Sequence, residues 1–275
     1  MNLDRPFDFT GKVAVVVGGS GVLCGALAQT LGQQGAAVIV VGHTHIAKAQ
    51  DLADQIIAKG GQAIAFQADA LDKKSLNSLA HKAIETFGSI DILINGAGGA
   101  KKEATTSEQL SFFDLPEDAV RWVFDLNFMG TFLACQVIGR YMVEQDSGAI
   151  LNIASMGADR PLTRSIAYSA AKAAVVNFTK WLAVHMSQEY SPRIRVNAIM
   201  PGFFLTEQNR FLLLGEGSGE LTERGQRIID HTPMGRFGRP EDLFGPALLL
   251  LSDVAAFVHG TTVTVDGGIS VFGGV

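Results

Sequence analysis

Metal and disulfide chemistry are the first things this chain lacks. Its two cysteines, Cys24 and Cys135, form neither a disulfide framework nor a metal-ligand spacing. The six histidines build no zinc-type cluster, so no metal is expected. A block of like charge is missing too. Net charge is −5, with the signs interspersed and no basic run, which excludes a nucleic-acid footprint. The longest apolar stretch, near residues 247–251, is far too short to cross a bilayer. Met1 to Pro6 has no likeness to a secretory leader. A soluble cytoplasmic protein without nucleic-acid or membrane partners is the expectation. No repeat, low-complexity tract or linker divides the chain. Its 275 residues, 47% hydrophobic, therefore suit a single α/β domain over 1–275.

What is present begins with Tyr168-Ser169-Ala170-Ala171-Lys172. On a helix, residues four apart stack on one face, so a phenol and an ammonium stand together. A neighbouring ammonium favours the phenolate and lowers the tyrosine pKa from its ordinary value of about 10. Such a pair serves as a general acid or base toward a carbonyl or hydroxyl. Alone it also fits an ordinary solvated helix face. Thirteen residues upstream, the apolar run 148–154 ends in Ser155. A serine at the carboxyl end of a parallel strand sits where open α/β sheets bind ligands. Its hydroxyl could hold a substrate oxygen in line with Tyr168, or merely satisfy a turn.

The amino-terminal third reads as strand (12–17), glycine-rich turn (18–25), helix (26–34) and a second buried strand (37–41). That order makes a dinucleotide-binding unit, in which glycines let the backbone approach a pyrophosphate at a helix start. Further apolar runs at 63–67, 90–94 and 195–199 lead into Asp69, Asn95-Gly96-Ala97-Gly98-Gly99 and Pro201-Gly202. Helical patterns alternate with them. The alternation predicts a parallel sheet with right-handed crossovers.

Together these motifs resemble the classical short-chain dehydrogenase/reductase family, from Thr10-Gly11-Lys12 to Val265-Asp266-Gly267-Gly268. The resemblance implies a Rossmann-like, doubly wound parallel sheet with helices on both faces, and a homotetramer. It implies that Tyr168 is the catalytic acid/base, that Lys172 binds the nicotinamide ribose, and that Ser155 orients the carbonyl. Asn127 would hold a water linking Lys172 to solvent, although by itself it also reads as a helix-kinking residue. The dinucleotide would lie along Gly18, Gly19, Ser20, Gly21, Val22 and Leu23. It would continue past His43, Asp69 and Ala70, then Asn95, Ala97 and Gly98, to Tyr168 and Lys172. Pro201, Gly202 and Thr206 would stand beside the nicotinamide.

Two departures bear on the cofactor. The family's glycine turn opens with threonine and closes with glycine, where this chain has Val17 and Cys24. Val17 removes a hydroxyl that would tie the turn to Asn95, and the Cys24 Cβ is expected to narrow the pyrophosphate approach. At the end of the second strand, Val41-Gly42-His43-Thr44-His45 carries no acid to oppose a 2′-phosphate, and Lys48 follows. NADP(H) is therefore favoured, with NAD(H) as the alternative. Asp69 is expected at the adenine ring or, equally, as a helix N-cap.

Two excursions, residues 98–116 and 203–238, are long enough to be substrate loops. The second carries Gln208 and Arg210, suited to a hydroxylated, anionic substrate. Its phrases, with Ser111 to Asp114 and His231 to Gly238, resemble the D-mannonate oxidoreductase (fructuronate reductase) branch of the family. Ser155, Tyr168, Gln208 and Arg210 are the expected substrate residues, with Lys101, Lys102 and Arg160 in reserve. A gluconate 5-dehydrogenase or other polyol dehydrogenase is the alternative. A non-catalytic nucleotide-binding regulator is the reading from another class.

Overall fold

Short runs of Val, Ile and Ala, apolar on both faces, fold into strands that lie inside the molecule. The computed structural model describes residues 6–206, 210–215 and 219–274. Seven strands form one parallel sheet: β1 (Val13–Val17), β2 (Ala37–Gly42), β3 (Gln62–Gln67), β4 (Ile92–Asn95), β5 (Gly148–Ile153), β6 (Ile194–Pro201) and β7 (Thr262–Val265). Their spatial order is β3-β2-β1-β4-β5-β6-β7. Order reverses after β1, so the carboxyl ends of β1 and β4 flank the crevice where such sheets take ligands. The expected α/β class and doubly wound parallel sheet are what the chain adopts.

Alternation along each strand divides the core. Ala14 and Val16 face one layer, containing α1 (Val22–Gln33), α2 (Ile46–Ala58) and α9 (Phe244–Leu251). Val13, Val15 and Val17 face the other, built from α3 (Lys73–Phe87), α5 (Gly130–Glu144) and α6 (Ile166–Glu189). Burial of both faces explains why these strands read as continuous apolar runs rather than alternating ones.

The chain from α4 (Glu117–Phe124) into α5 passes through a π turn, Asp125–Met129, with Asn127 at its centre. This continuous 117–144 rod is long and apolar enough to cross a membrane by composition, and it exceeds the short stretch the sequence suggested. Half of its most apolar window is buried inside the fold, as in a core helix. Both long excursions hold short helices. Residues 98–116 contain 3-10 turns at Lys102–Ala104 and Phe112–Asp114, and residues 203–238 contain α7 (Arg210–Leu213) and α8 (Glu223–Asp230).

Candidate active site

The glycine turn is shaped first by packing. Gly18 has φ of +77°, and a Cβ on it would stand 2.7 Å from the Gly96 carbonyl carbon and 2.8 Å from the Ala97 nitrogen. Only glycine permits the turns after β1 and β4 to approach this closely. Gly21 then caps α1, with Gly21 and Val22 exposed and Ser20 and Leu23 half-buried. The free N–H groups of the first helical turn open there toward solvent, as an anion site requires.

Cys24 corrects an expectation. Its side chain is buried beneath the β4 turn, where a Cβ on Gly96 would overlap the Cys24 sulfur. It packs against Gly96 and is buried, whereas Gly21 and Val22 at the start of α1 are exposed. Val17, in register with Asn95, indeed offers no hydroxyl. The Asn95 amide donates to Asn152 Oδ1 at 2.9 Å and to Cys135 Sγ at 3.1 Å, while its own buried Oδ1 has no partner among the described residues.

At the carboxyl end of β5 the reactive groups come together. Lys172, only 4% exposed, donates to the Ile153 carbonyl at 2.7 Å, and its Nζ lies 5.7 Å from the Tyr168 ring centre. The Tyr168 ring packs on Ala104, Val123 and Ala167. Ser155, at 8% exposure, faces the phenol, and its Oγ accepts from the Gly157 N–H at 3.1 Å. A Cβ on Gly98 would stand 2.5 Å from Asn127 Oδ1 and 3.2 Å from Lys172 Nζ, so this glycine lets three elements converge.

Electrostatics here differ from the sequence expectation. Burial raises the Tyr168 phenol above its ordinary pKa, with the Ser155 hydrogen bond pulling it down, so the phenol keeps its proton at neutrality. Lys172 is the group brought down, to about 8, by burial, against a nearby Cys24 that raises it. The Cys24 thiol is pushed up to about 12 by the same burial, with Lys172 lowering it. It stays neutral.

The Asn127 side chain is spent on backbone. Its amide donates to Gly99 O at 2.7 Å and Val123 O at 2.8 Å, and its Oδ1 accepts from Gly99 N at 3.1 Å. It clamps the glycine turn after β4 onto the π turn. The Asn127 main-chain oxygen accepts from Thr131 Oγ1 at 3.1 Å. Neither Gly99 nor the Ile153 carbonyl was among the expected site residues, because both act through backbone atoms.

The other expected positions lie along the same edge. Pro201 ends β6, and a Cβ on Gly202 would lie 2.6 Å from Asp266 Cβ, so Gly202 seats that turn on the end of β7. Thr206 is half-buried and its carbonyl accepts from Arg210 N at 2.9 Å. Ala70 is buried against Gly130. The N-cap of α3 is Asp72, which accepts from Lys74 N, so Asp69 is not the cap. Asp69 Oδ2 instead lies 3.9 Å from His43 Nε2.

Among the substrate candidates, Arg210 is exposed at the start of α7, and Gln208 lies outside the described residues. Lys101 sits over the Trp122 ring at 5.3 Å, and Arg160 Nε donates to the Ser270 carbonyl at 3.0 Å. Lys102 is exposed. Among the described residues no group of three or more potential ligands is placed to hold a metal ion.

A phenol, a hydroxyl and a buried ammonium thus meet at the carboxyl edge of the doubly wound sheet. A family model described as enoyl-(acyl carrier protein) reductase matches residues 21–270. The oxidoreductase UxuB of Bacillus subtilis (strain 168), described as uncharacterised, is 46% identical, covering 98% of each chain. The chain belongs to the short-chain dehydrogenase/reductase family. A family member from Haemophilus influenzae, solved with bound NAD and described provisionally as a D-mannonate oxidoreductase, superposes with a TM-score of 0.91. It is 38% identical, and the match covers 100% of both chains. Another structure from Beutenbergia cavernae, described provisionally as a gluconate 5-dehydrogenase with low-occupancy NADP, gives a TM-score of 0.83 at 31% identity. That match covers 96% of this chain and 98% of the other. As a member of the family, the protein is an NAD(P)-dependent oxidoreductase. The residues fit that cofactor, since the exposed, uncapped start of α1 at Gly21 and Val22 offers its N–H groups to a pyrophosphate.

Proposed function

We propose that the protein interconverts a ketone and a secondary alcohol of a sugar acid, most plainly D-fructuronate and D-mannonate. The observation that carries this reading is the full-length likeness to the Haemophilus influenzae protein. The exposed Arg210 in the lid supports it, because a guanidinium pairs with carboxylate in a two-pronged geometry. Gln208 and Arg210 are the proposed substrate contacts, with Ser155 and Tyr168 at the reacting carbon.

When bound, reduced nicotinamide supplies the hydride. Tyr168 holds the proton that the new alkoxide takes up, and its raised pKa keeps that proton available at neutral pH. The Ser155 hydroxyl, facing the phenol, stabilises the developing negative charge. Lys172 places a positive charge beneath the site, and Asn127 fixes the Gly98-Gly99 turn that roofs it. In the oxidative direction the same phenol, as phenolate, accepts the proton.

The second reading, a gluconate 5-dehydrogenase or polyol dehydrogenase, is supported by the Beutenbergia cavernae structure. A D-threitol dehydrogenase of Mycolicibacterium smegmatis, 34% identical over 98% of this chain, points the same way. The convergence of Ser155, Tyr168 and Lys172 disfavours a non-catalytic regulator. We also propose a cytoplasmic homotetramer, supported by exposed apolar residues on α4 and α6: Trp122, Ile166, Trp181 and Val184. The test is a screen of D-fructuronate, 5-ketogluconate and neutral ketoses with NADH and NADPH. D-fructuronate should give the highest kcat/KM, and absence of turnover on any hexuronate would refute the substrate assignment.

A further inference from the structure

We propose that Arg160 is a positioning residue for the substrate. Through the carboxy-terminal segment it fixes the returning limb of the second excursion, His231–Met234, at a set distance from Ser155. The inference rests on the reading of residues 203–238 as a substrate loop and not on which ketone the loop receives.

The connection starts on a rigid turn. Ser155 Oγ accepts from Gly157 N at 3.1 Å, and the Ser155 carbonyl accepts from Ala158 N at 2.9 Å. Arg160 N then donates to the Met156 carbonyl at 2.8 Å. Only five residues beyond Ser155, the Arg160 backbone therefore moves with the strand end that carries the hydroxyl. Its side chain crosses to the other end of the sequence, where Nε donates to the Ser270 carbonyl at 3.0 Å. A guanidinium on a carbonyl is a charge-assisted bond, stronger than a neutral one.

The segment that Arg160 meets is a turn wound on one carboxylate. Asp266 Oδ1 accepts from Gly268 N at 2.9 Å and Oδ2 from Ser270 N at 3.0 Å, and Ser270 is buried. The same turn carries the returning limb. Met234 N donates to the Gly267 carbonyl at 3.2 Å, and the His231 and Phe272 rings meet edge to face, 6.4 Å between centres. Gly267 has φ of +66°, and a Cβ on it would stand 2.8 Å from Thr232 Cγ2. A Cβ on Gly268 would stand 3.2 Å from Pro233 Cγ. Surfaces packed this closely transmit displacement, so a shift of the turn must shift the limb. At its base the excursion is already tied, by Gly238 N to the Phe203 carbonyl at 2.9 Å. The Arg160 bond supplies the second tie, to the loop of Ser155 itself. A plain surface staple would hold the carboxy-terminal turn and do no more, and substrate KM separates the two.

The experiment compares full-length wild type, Arg160→Ala and Arg160→Lys by amide hydrogen exchange and by steady-state kinetics. Lysine keeps a cationic donor for the Ser270 carbonyl, and alanine keeps none. Exchange over residues 231–236 should be about tenfold faster in Arg160→Ala, because local opening becomes easier, and near wild type in Arg160→Lys. With saturating reduced cofactor, Arg160→Ala should raise KM for D-fructuronate about tenfold and change kcat less than about threefold, the pattern of lost substrate binding. A neutral ketose should lose by the same factor, and lysine should restore most of the loss for both. Unchanged exchange over 231–236 in Arg160→Ala would overturn the proposal. So would a lower melting temperature with KM unchanged, which is the mark of a staple. A loss confined to the acid would also overturn it, by making Arg160 a direct carboxylate contact. The exchange measurement needs no substrate. Failure of wild type to reduce any hexuronate would therefore refute the sugar-acid reading and leave this test standing.

Discussion

Lys172 donates from Nζ to the main-chain oxygen of Ile153 at 2.7 Å while the same nitrogen stands 5.7 Å from the centre of the Tyr168 ring. One buried ammonium thus joins the end of the strand carrying Ser155 to the helix carrying the phenol. Burial lowers its pKa from 10.5 to about 8. A folded pKa below the unfolded one means that the ammonium costs stability wherever it stays protonated. The cost is full below pH 8 and is relieved as pH rises toward 10.5.

Lys172→Met should therefore gain relative stability at neutral pH and lose that gain in alkali. Denaturant unfolding of both proteins at pH 7.5 and pH 10 checks this, since groups common to both cancel. The difference should move toward wild type by on the order of 2 kcal/mol. A pH-independent difference would show that Lys172 does not titrate in this range. The variant should also lose turnover at every pH.

Tyr168→Phe should fold, bind cofactor and lose about 10²–10⁴-fold in kcat, the usual contribution of a positioned acid or base. Because burial raises the phenol's pKa, reduction should hold its rate through neutral pH, and oxidation should accelerate as pH rises into the alkaline range. Steady-state rates in both directions across pH decide it. An oxidation rate flat with pH would place the titrating group elsewhere.

The sheet was readable because strands buried on both faces need unbroken apolar runs, as in residues 12–17 and 148–154. Tyr168, Lys172 and Ser155 were readable because helix periodicity and strand ends fix where such side chains point. What escaped depends on long-range packing. Cys24 turns under Gly96 because the β1 and β4 turns touch, and Asp69 meets His43 because β2 and β3 pair in register. The Asn127 clamp and the Lys172 perch use backbone oxygens, which every residue possesses and no sequence pattern advertises.

Gly96 and Cys24 should be coupled. A methyl group on Gly96 overlaps the Cys24 sulfur, so Gly96→Ala should destabilise the fold by about 1–3 kcal/mol, the usual cost of overpacking. Cys24→Ala in the same chain removes the sulfur and leaves 3.3 Å contacts to the remaining Cβ and to the Val17 carbonyl oxygen, so the double variant should recover part of the loss. Thermal unfolding of wild type, both single variants and the double variant completes the cycle. Strict additivity would mean that the two residues do not share this space.

Arg210 is the sharpest test of the substrate. It stands exposed at the start of α7, its N–H bonded to the Thr206 carbonyl beside the proposed nicotinamide position. If its guanidinium pairs with the carboxylate of a hexuronate, Arg210→Ala should lower kcat/KM for D-fructuronate by roughly ten- to a hundredfold, the loss of a charged hydrogen-bond partner. A neutral ketose of similar size should keep its kcat/KM almost unchanged, because it offers no carboxylate to lose. Arg160→Gln serves as the control for the other arginine near the site, whose Nε is already engaged by the Ser270 carbonyl. The acid-specific loss should appear at Arg210 and not at Arg160. Parallel losses on acid and neutral substrate would mean that Arg210 only shapes the lid. An acid-specific loss at Arg160 alone would assign the carboxylate to Arg160 and leave the phenol chemistry unchanged.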